Sequence, residues 1–298
     1  MKHRVKVELM GGVGNQLFQY FAGLNLANAT NGIVDLVASG VNKHKSLHIG
    51  SDIMKLKPLE IGTIPSTSRP RVFDNINKLI FSLCVRSNIV SRLVTSVGYI
   101  SDPYLGKRQI EFSARNYYLK GYFQTHINFD SCTTQQKNLD LIHQSHWFTS
   151  VSKEILAANA VGIHIRRGDY LELSDTYGVL EQDYYKQAIK LARGSIDNPK
   201  FFVFSDDLGV ARALIEDLDV GNCILVEPPI ESNAVESLLL MSLCKGLIIA
   251  NSSFSYWGAL LGDEKRVVVF PKPWSSSTKL TEPKFPSNWI NCESNLRD

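Results

Sequence analysis

The sequence predicts an α/β protein of two doubly wound domains, and three observations carry that prediction. The chain opens on strand, glycine turn, helix and strand, the βαβ order of a parallel sheet. From Val161 onward, short apolar runs alternate with amphipathic helical patterns. The length, 298 residues, accommodates two domains of about 150 residues each.

Val5 to Met10 reads as the first strand, Gly11-Gly12-Val13-Gly14 as a tight turn, and Asn15 to Ala29 as a helix. Leu17, Phe18, Phe21, Ala22 and Leu24 share one face of that helix. Ile33 to Ala38 is the second strand. Val41 to Ser113 is less regular; its helical candidate is Asn75 to Val94, with Ile76, Leu79, Ile80 and Leu83 apolar. Lys78, Arg86 and Arg92 on that segment suit either a packed helix or an anionic membrane surface. Further on, Val161–Ile165, Phe201–Ser205, Ile224–Val226, Gly246–Ala250 and Val267–Phe270 read as strands. Helices Gln182–Arg193, Gly209–Leu218, Ala234–Cys244 and Ser255–Leu261 lie between them. The domain boundary falls near Thr149 to Asn159, giving domains 1–155 and 156–298. The last twenty or so residues are expected to pack back on the first domain.

Composition excludes several classes. With 44% hydrophobic and 20% charged residues the chain is too apolar for disorder. Its longest apolar region, Leu238 to Ala250, is interrupted by Ser242, Lys245 and Gly246 and is no membrane span. Met1-Lys2-His3-Arg4 leads directly into a strand pattern, so no signal peptide is expected. Cys84, Cys132, Cys223, Cys244 and Cys292 are scattered and odd in number, which argues against a zinc site or a disulfide framework. A cytoplasmic protein is expected. Residues 1–150 hold 17 basic and 9 acidic residues, +8; the remainder holds 15 and 20, −5. The basic half suits an anionic substrate or the inner membrane face. No nucleic acid is expected as a partner.

The chemistry concentrates in four strand-to-helix turns. Alternation places Val161, Ile163 and Ile165 on one face of their strand, and Gly162, His164 and Arg166 on the other. Arg166, Arg167 and Asp169 then sit at the carboxyl end of a parallel strand, where doubly wound sheets bind ligands. Two adjacent guanidinium groups suit a diphosphate, and Gly168 permits close backbone approach. A structural Arg–Asp pair ending the strand is the bland alternative. Ser205-Asp206-Asp207 follows another strand; a helix cap ranks first for it, recognition of a base or ribose second, and a divalent cation third. Asn251-Ser252-Ser253 opens a helix after a third strand, where hydroxyl and N–H groups attract anions or simply cap. Gly12 and Gly14, followed by Asn15 and Gln16, suggest a dinucleotide turn with Asp35 as ribose ligand, hence an NAD(P)-dependent oxidoreductase. Leu17 at the third glycine position weakens that reading.

Five segments together resemble the α-1,2-fucosyltransferases of glycosyltransferase family 11, in their bacterial form. They are Gly11 to Tyr20, Gly121-Tyr122-Phe123-Gln124, His164 to Tyr170, Phe204-Ser205-Asp206-Asp207 and Asn251 to Gly258. Val13 and Tyr256 depart conservatively from the pattern. The resemblance implies a GT-B-like fold, with two Rossmann-type domains facing a cleft. It also implies GDP-β-L-fucose as donor, inversion to an α-1,2-linked galactoside and no essential metal or cofactor. The acceptor would be a β-galactoside oligosaccharide, lipid-linked in O-antigen or other surface-polysaccharide synthesis. Carried over, Arg166 would hold the β-phosphate with Arg167 in support, and His164 would contact the nucleotide. Asp206 or Asp207 would read guanine or ribose, and Ser252 and Ser253 would bind phosphate. Asn15 would lie near the departing diphosphate. Asp169 is the first candidate for the base and His164 the second, with Glu172 and Asp175 further possibilities. A binding protein without turnover is the third class to distinguish.

Overall fold

A computed structural model describes residues 3–37, 52–59, 61–63, 76, 79–80, 82–83, 90, 98–102, 116–124, 138–168, 177–218, 220–277 and 282–297. The chain forms two compact units, Met1–Leu139 with Thr281–Lys284, and Asp140–Leu280 with Phe285–Asp298. Of the helix expected over Asn75 to Val94, most lies outside the described residues.

The first unit contains β1 (His3–Glu8), α1 (Val13–Thr30), β2 (Gly32–Val37), β3 (Leu56–Lys57), β4 (Ile61–Thr63), β5 (Tyr99–Asp102) and β6 (Asn116–Gly121). Its five-stranded sheet runs β4-β2-β1-β6-β5, with every neighbouring pair parallel. Val5 and Val7 are fully buried and lie on the β1 face toward α1. A methyl group at Gly23 would overlap the Val7 side chain, so this glycine sets how closely helix and strand approach. Gly23 thus does the packing work that the third glycine of a dinucleotide turn does, two turns further along the helix. Asn31 closes α1 in a left-handed conformation, φ 50°, its N–H returning to the Ala27 carbonyl.

The second unit contains β7 (Asp140–Leu141), α2 (His146–Leu156), β8 (Ala160–Ile165), β9 (Val179–Leu180), α3 (Gln182–Ser195), β10 (Lys200–Ser205), α4 (Leu208–Asp217), β11 (Cys223–Leu225), α5 (Ala234–Leu243), β12 (Gly246–Ile248), α6 (Ser253–Leu260), β13 (Val267–Lys272), β14 (Ile290–Glu293) and β15 (Leu296–Arg297). Six parallel strands run β11-β10-β8-β12-β13-β14. Every strand and helix expected after Val161 is present, with ends shifted by a few residues. The expected face of β8 is also observed: Val161, Ile163 and Ile165 join Tyr184, Tyr185, Ala188, Ile189 and Ala192 of α3 in one buried cluster.

Two features depart from expectation. Helix α2 was not foreseen; Ser145 caps it by accepting from the Phe148 N–H at 3.0 Å. The helix lies wholly in the second unit, which begins at Asp140, ahead of the boundary read near Thr149 to Asn159. Of the last twenty or so residues, Thr281–Lys284 belong to the first unit and Phe285–Asp298 to the second. Ile290–Glu293 extends the second sheet beside β13, and Leu296–Arg297 pairs antiparallel with Val179–Leu180. Parallel pairing along Val269 to Lys272 satisfies the backbone groups of β14, which explains the placement.

Arg266 fastens the far ends of two helices. Its buried guanidinium donates to the Met241, Ser242 and Cys244 carbonyls at 3.2, 3.2 and 3.3 Å, and to those of Gly258 and Ala259. These carbonyls lie at the ends of α5 and α6, where helices run out of internal donors; those of Met241 and Ala259 also accept the Cys244 and Gly262 N–H groups. Burial pulls its pKa down to about 10, so the group stays charged at neutral pH. Arg266→Ala is predicted to cost about 3 kcal/mol or more, because buried acceptors lose their donor. Urea unfolding measures this, and a loss below about 1 kcal/mol would refute it.

Candidate active site

In the second sheet, β8 is followed outward by β10 and β11 on one side and by β12, β13 and β14 on the other. The strand order therefore reverses between β8 and β12, and the carboxyl ends of these strands form a topological switch point, the usual ligand position in such sheets. The segments leading from these ends are Arg166-Arg167-Gly168 after β8 and Asn251-Ser252-Ser253 after β12.

Register then brings a third turn alongside. Ser205 of β10 pairs with Ile165 of β8, so the next residues outward are Asp206 and Arg166. Arg166 Nη1 lies 3.0 Å from Asp206 Oδ2, and the Arg167 N–H donates to Asp206 Oδ1 at 2.9 Å. Both side chains of the ion pair keep partial solvent access. Gly168 is required here: a Cβ would run into the Asp206 carboxylate. The two halves of the motif, arginine and glycine, are thus organised around one acidic side chain.

The neighbouring carboxylate does different work. Asp207 caps α4, accepting from the Val210 N–H at 3.0 Å, and Ser205 Oγ closes the turn by accepting from the Asp207 N–H at 3.0 Å. Of the expected nucleotide ligands, Ser205 and Asp207 are therefore committed to a helix cap, the use ranked first for the pair. Asp206 is the carboxylate that faces the arginines.

His164 is 3% exposed, and its ring centroid lies 5.6 Å from that of Phe254 in the first turn of α6. Its buried Nδ1 has no hydrogen-bond partner among the described residues. Burial, aided by the Arg166 charge, lowers its pKa to about 3. The imidazole is neutral in the working range and is a poor proton acceptor there, which weighs against His164 as the base. Asp169, Tyr170, Glu172 and Asp175 lie outside the described residues.

After β12, Asn251 is buried and donates to the carbonyls of Tyr177 at 2.9 Å and Gly178 at 3.2 Å. Ser252 caps α6 by accepting from the Phe254 N–H at 3.3 Å. Asn251 thus braces the turn, Ser252 ends it, and Ser253 is the first residue of the helix. Two tyrosines of α3 steady the switch point from beneath. The Tyr184 hydroxyl donates to the Ile249 carbonyl at 2.6 Å and that of Tyr185 to the His164 carbonyl at 3.4 Å. Sequence patterning gave only the helix that carries them, Gln182–Arg193.

The glycine turn of the first unit has its own switch point, between β1 and β6. Gly11 takes the left-handed conformation, φ +69°; Gly12 is the N-cap with open space where a Cβ would sit; Gly14 is buried inside α1. Gln16 is fully buried, donating to the Gly11 carbonyl at 2.9 Å and accepting from the Ile53 N–H at 3.2 Å. Gln19 grips Met10 at both backbone groups, 2.9 and 3.1 Å. Gly14 and Gln16, expected at the donor site, are both buried and help to build the turn. Asn15 accepts from Gln124 Nε2 at 3.0 Å. The first unit also holds a charge cluster no sequence pattern announced: Lys120 donates to Glu8 at 3.0 Å and the Tyr118 hydroxyl to the same carboxylate at 2.5 Å. Asp35 is no ribose ligand. It lies within β2, 4% exposed, gripped by both nitrogens of the Arg4 fork at 2.5 and 2.6 Å. The oxidoreductase reading loses its acidic residue.

Sequence comparison agrees with this layout. The family model of glycosyl transferase family 11 matches residues 93–293. The chain belongs to glycosyl transferase family 11, and the protein is a glycosyltransferase. An alpha-1,2-colitosyltransferase of Escherichia coli is 31% identical over 97% of this chain and 99% of its own length. The galactoside alpha-(1,2)-fucosyltransferase 1 of Bos taurus is 30% identical over 46% of this chain and 39% of its own. Among solved structures, the fucosyltransferase NodZ from Bradyrhizobium superposes with a TM-score of 0.59 at 14% identity, covering 88% of this chain and 94% of that one. At that identity the likeness speaks for the fold alone. Among the described residues, no helix is long and apolar enough to cross a membrane.

The buried histidine yields a pH prediction. Its folded pKa lies below the unfolded value of 6.5, so the unfolded chain takes up a proton first as pH falls. The stability this group contributes is full above pH 6.5 and is lost progressively between about 6.5 and 3. At pH 5 the loss is about 2 kcal/mol. Urea midpoints at pH 7.5 and 5 should converge in His164→Gln relative to the parent; an equal drop in both would exclude the assignment.

Proposed function

We propose that this enzyme transfers L-fucose from GDP-β-L-fucose to the 2-hydroxyl of a terminal galactose, forming an α-1,2 linkage with inversion and without a metal. The observation that carries the reading is the Arg166–Asp206 pair at the switch point of a parallel sheet, in a chain of family 11. The names of its relatives support the linkage: one transfers colitose and another fucose, both α-1,2. The acceptor is a galactose-terminated oligosaccharide of a surface polysaccharide in this reading.

The reaction is a single displacement at the anomeric carbon. The acceptor oxygen forms its bond to that carbon from one face while the bond to the β-phosphate oxygen breaks on the other. GDP departs with the electron pair, and Arg166, released from Asp206, meets the growing phosphate charge. A donor that binds more strongly as charge develops lowers the barrier rather than merely the dissociation constant. Arg167 assists, and the positive end of the α6 dipole, at Ser252 and Ser253, favours the diphosphate. Asp206, once freed, is placed to accept from a ribose or guanine hydrogen. Neutral His164 offers Nδ1 to the nucleotide as an acceptor or a donor according to tautomer. Asp169 takes the acceptor proton.

Arg166→Ala is predicted to lower turnover at least 100-fold, the scale of losing a charge-stabilising donor. Mass spectrometry of products from GDP-fucose and a β-galactoside panel measures it; near-parental turnover would sink the phosphate role. Full activity is expected after EDTA treatment. Loss restored by Mn²⁺ would instead make Asp206 and Asp207 metal ligands. GDP-colitose belongs in the donor panel, and preference for it over GDP-fucose would move the proposal to colitosyl transfer. A thermal shift with NADH and none with GDP would return the oxidoreductase reading.

A further inference from the structure

We propose that Gln124 is a positioning residue that locks the Asn15 carboxamide with its N–H groups outward, making Asn15 a hydrogen-bond donor to the substrate. A carboxamide has one acceptor end and one donor end, and a half-turn about its last torsion exchanges them. Gln124 Nε2 donates to Asn15 Oδ1 at 3.0 Å across 109 residues of sequence. The acceptor end of Asn15 is thereby occupied, and its Nδ2 has no hydrogen-bond partner among the described residues. The neighbouring amides of the turn are not available for this task. Gln16 and Gln19 are fully buried and committed at both ends to the backbone of Met10, Gly11 and Ile53. Asn15 is the amide of the turn that keeps its donor end uncommitted.

The approach of Gln124 is built into the backbone. It directly follows Phe123, which is 1% exposed and held at φ 54°. A bulky residue in the left-handed region is uncommon and strained, and such strain persists where the surroundings impose it. Gly121 at φ 156° begins the same turn at the end of β6. This turn delivers the Gln124 side chain to the first turn of α1 at the switch point between β1 and β6. On the other side Gly11 leaves room: a Cβ there would approach Asn15 Nδ2 to 2.6 Å. Gln124 holds one end of the carboxamide, and Gly11 leaves space for the other.

Two measurements test this. The first needs no ligand. In a ¹⁵N spectrum the Asn15 carboxamide signals, assigned by their loss in Asn15→Asp, should shift in Gln124→Ala while the melting temperature stays within about 2 °C. Unchanged signals would overturn the proposal. The second rests on the fucosyl-transfer reading. Gln124→Ala should lower kcat/KM about tenfold, as displaced catalytic groups do. Gln124→Glu should lower it further, because a carboxylate accepts from Nδ2 and turns the Asn15 oxygen outward. The double variant with Asn15→Ala should be no slower than Asn15→Ala alone. Additive losses would show that Gln124 does not act through Asn15. Absence of transfer by the parent enzyme would reject the fucosyl reading instead, and the spectroscopic arm would still decide the role of Gln124.

Discussion

Asp206 is the point about which the second unit's switch region is arranged. Its two oxygens hold one arginine by side chain and the next by backbone N–H, and its bulk dictates glycine at position 168. An anion entering this place does not find a bare guanidinium. It must exchange with a carboxylate that already neutralises Arg166, so the net gain is a difference between two charge-assisted interactions. Partial solvent access on both sides of the pair keeps that exchange inexpensive.

Much of this second unit was legible in the sequence because its signals are local. Sheet strands of three to six residues with apolar runs, separated by helices of eight to fourteen, leave little freedom of assignment. Ligand-bearing turns of a doubly wound sheet fall at predictable strand ends. The faces of β8 followed from alternation alone. What alternation does not carry is register between strands far apart in sequence. That Asp206, rather than Asp207, meets Arg166 depends on Ser205 lying opposite Ile165, a pairing across forty residues. The capping function of Asp207 was legible, and choosing between two adjacent aspartates was not.

The first unit was read less fully, for the same reason. Its opening βαβ followed from periodicity, whereas β6 carries charged and aromatic residues on one face and gave no clean alternation. The Glu8–Lys120–Tyr118 cluster explains why. Those polar side chains satisfy one another in the fold, and a linear reading sees only residues unsuited to a core. Gln16 shows a related effect: an amide beside a glycine turn reads as a ligand group, and the backbone it supports is visible only in the fold. The segment Gly121 to Gln124 was visible as a resemblance without a role, since its partner Asn15 lies more than a hundred residues away.

Arg266 has an electrostatic effect at a distance. Helix α6 carries partial positive charge at its Ser252 end and partial negative charge at the end where the Gly258 and Ala259 carbonyls emerge. A dipole's field falls off quickly because its two poles cancel. Here the negative pole is covered by a buried guanidinium, while the positive pole, about 12 Å away, carries the neutral Ser252 cap and no countercharge of its own helix. The helix therefore acts on the switch point less as a dipole than as a fractional positive charge, with a longer reach. A unit carrying an excess of acidic residues can in this way keep a locally positive potential at the edge of its sheet where the arginine motif stands.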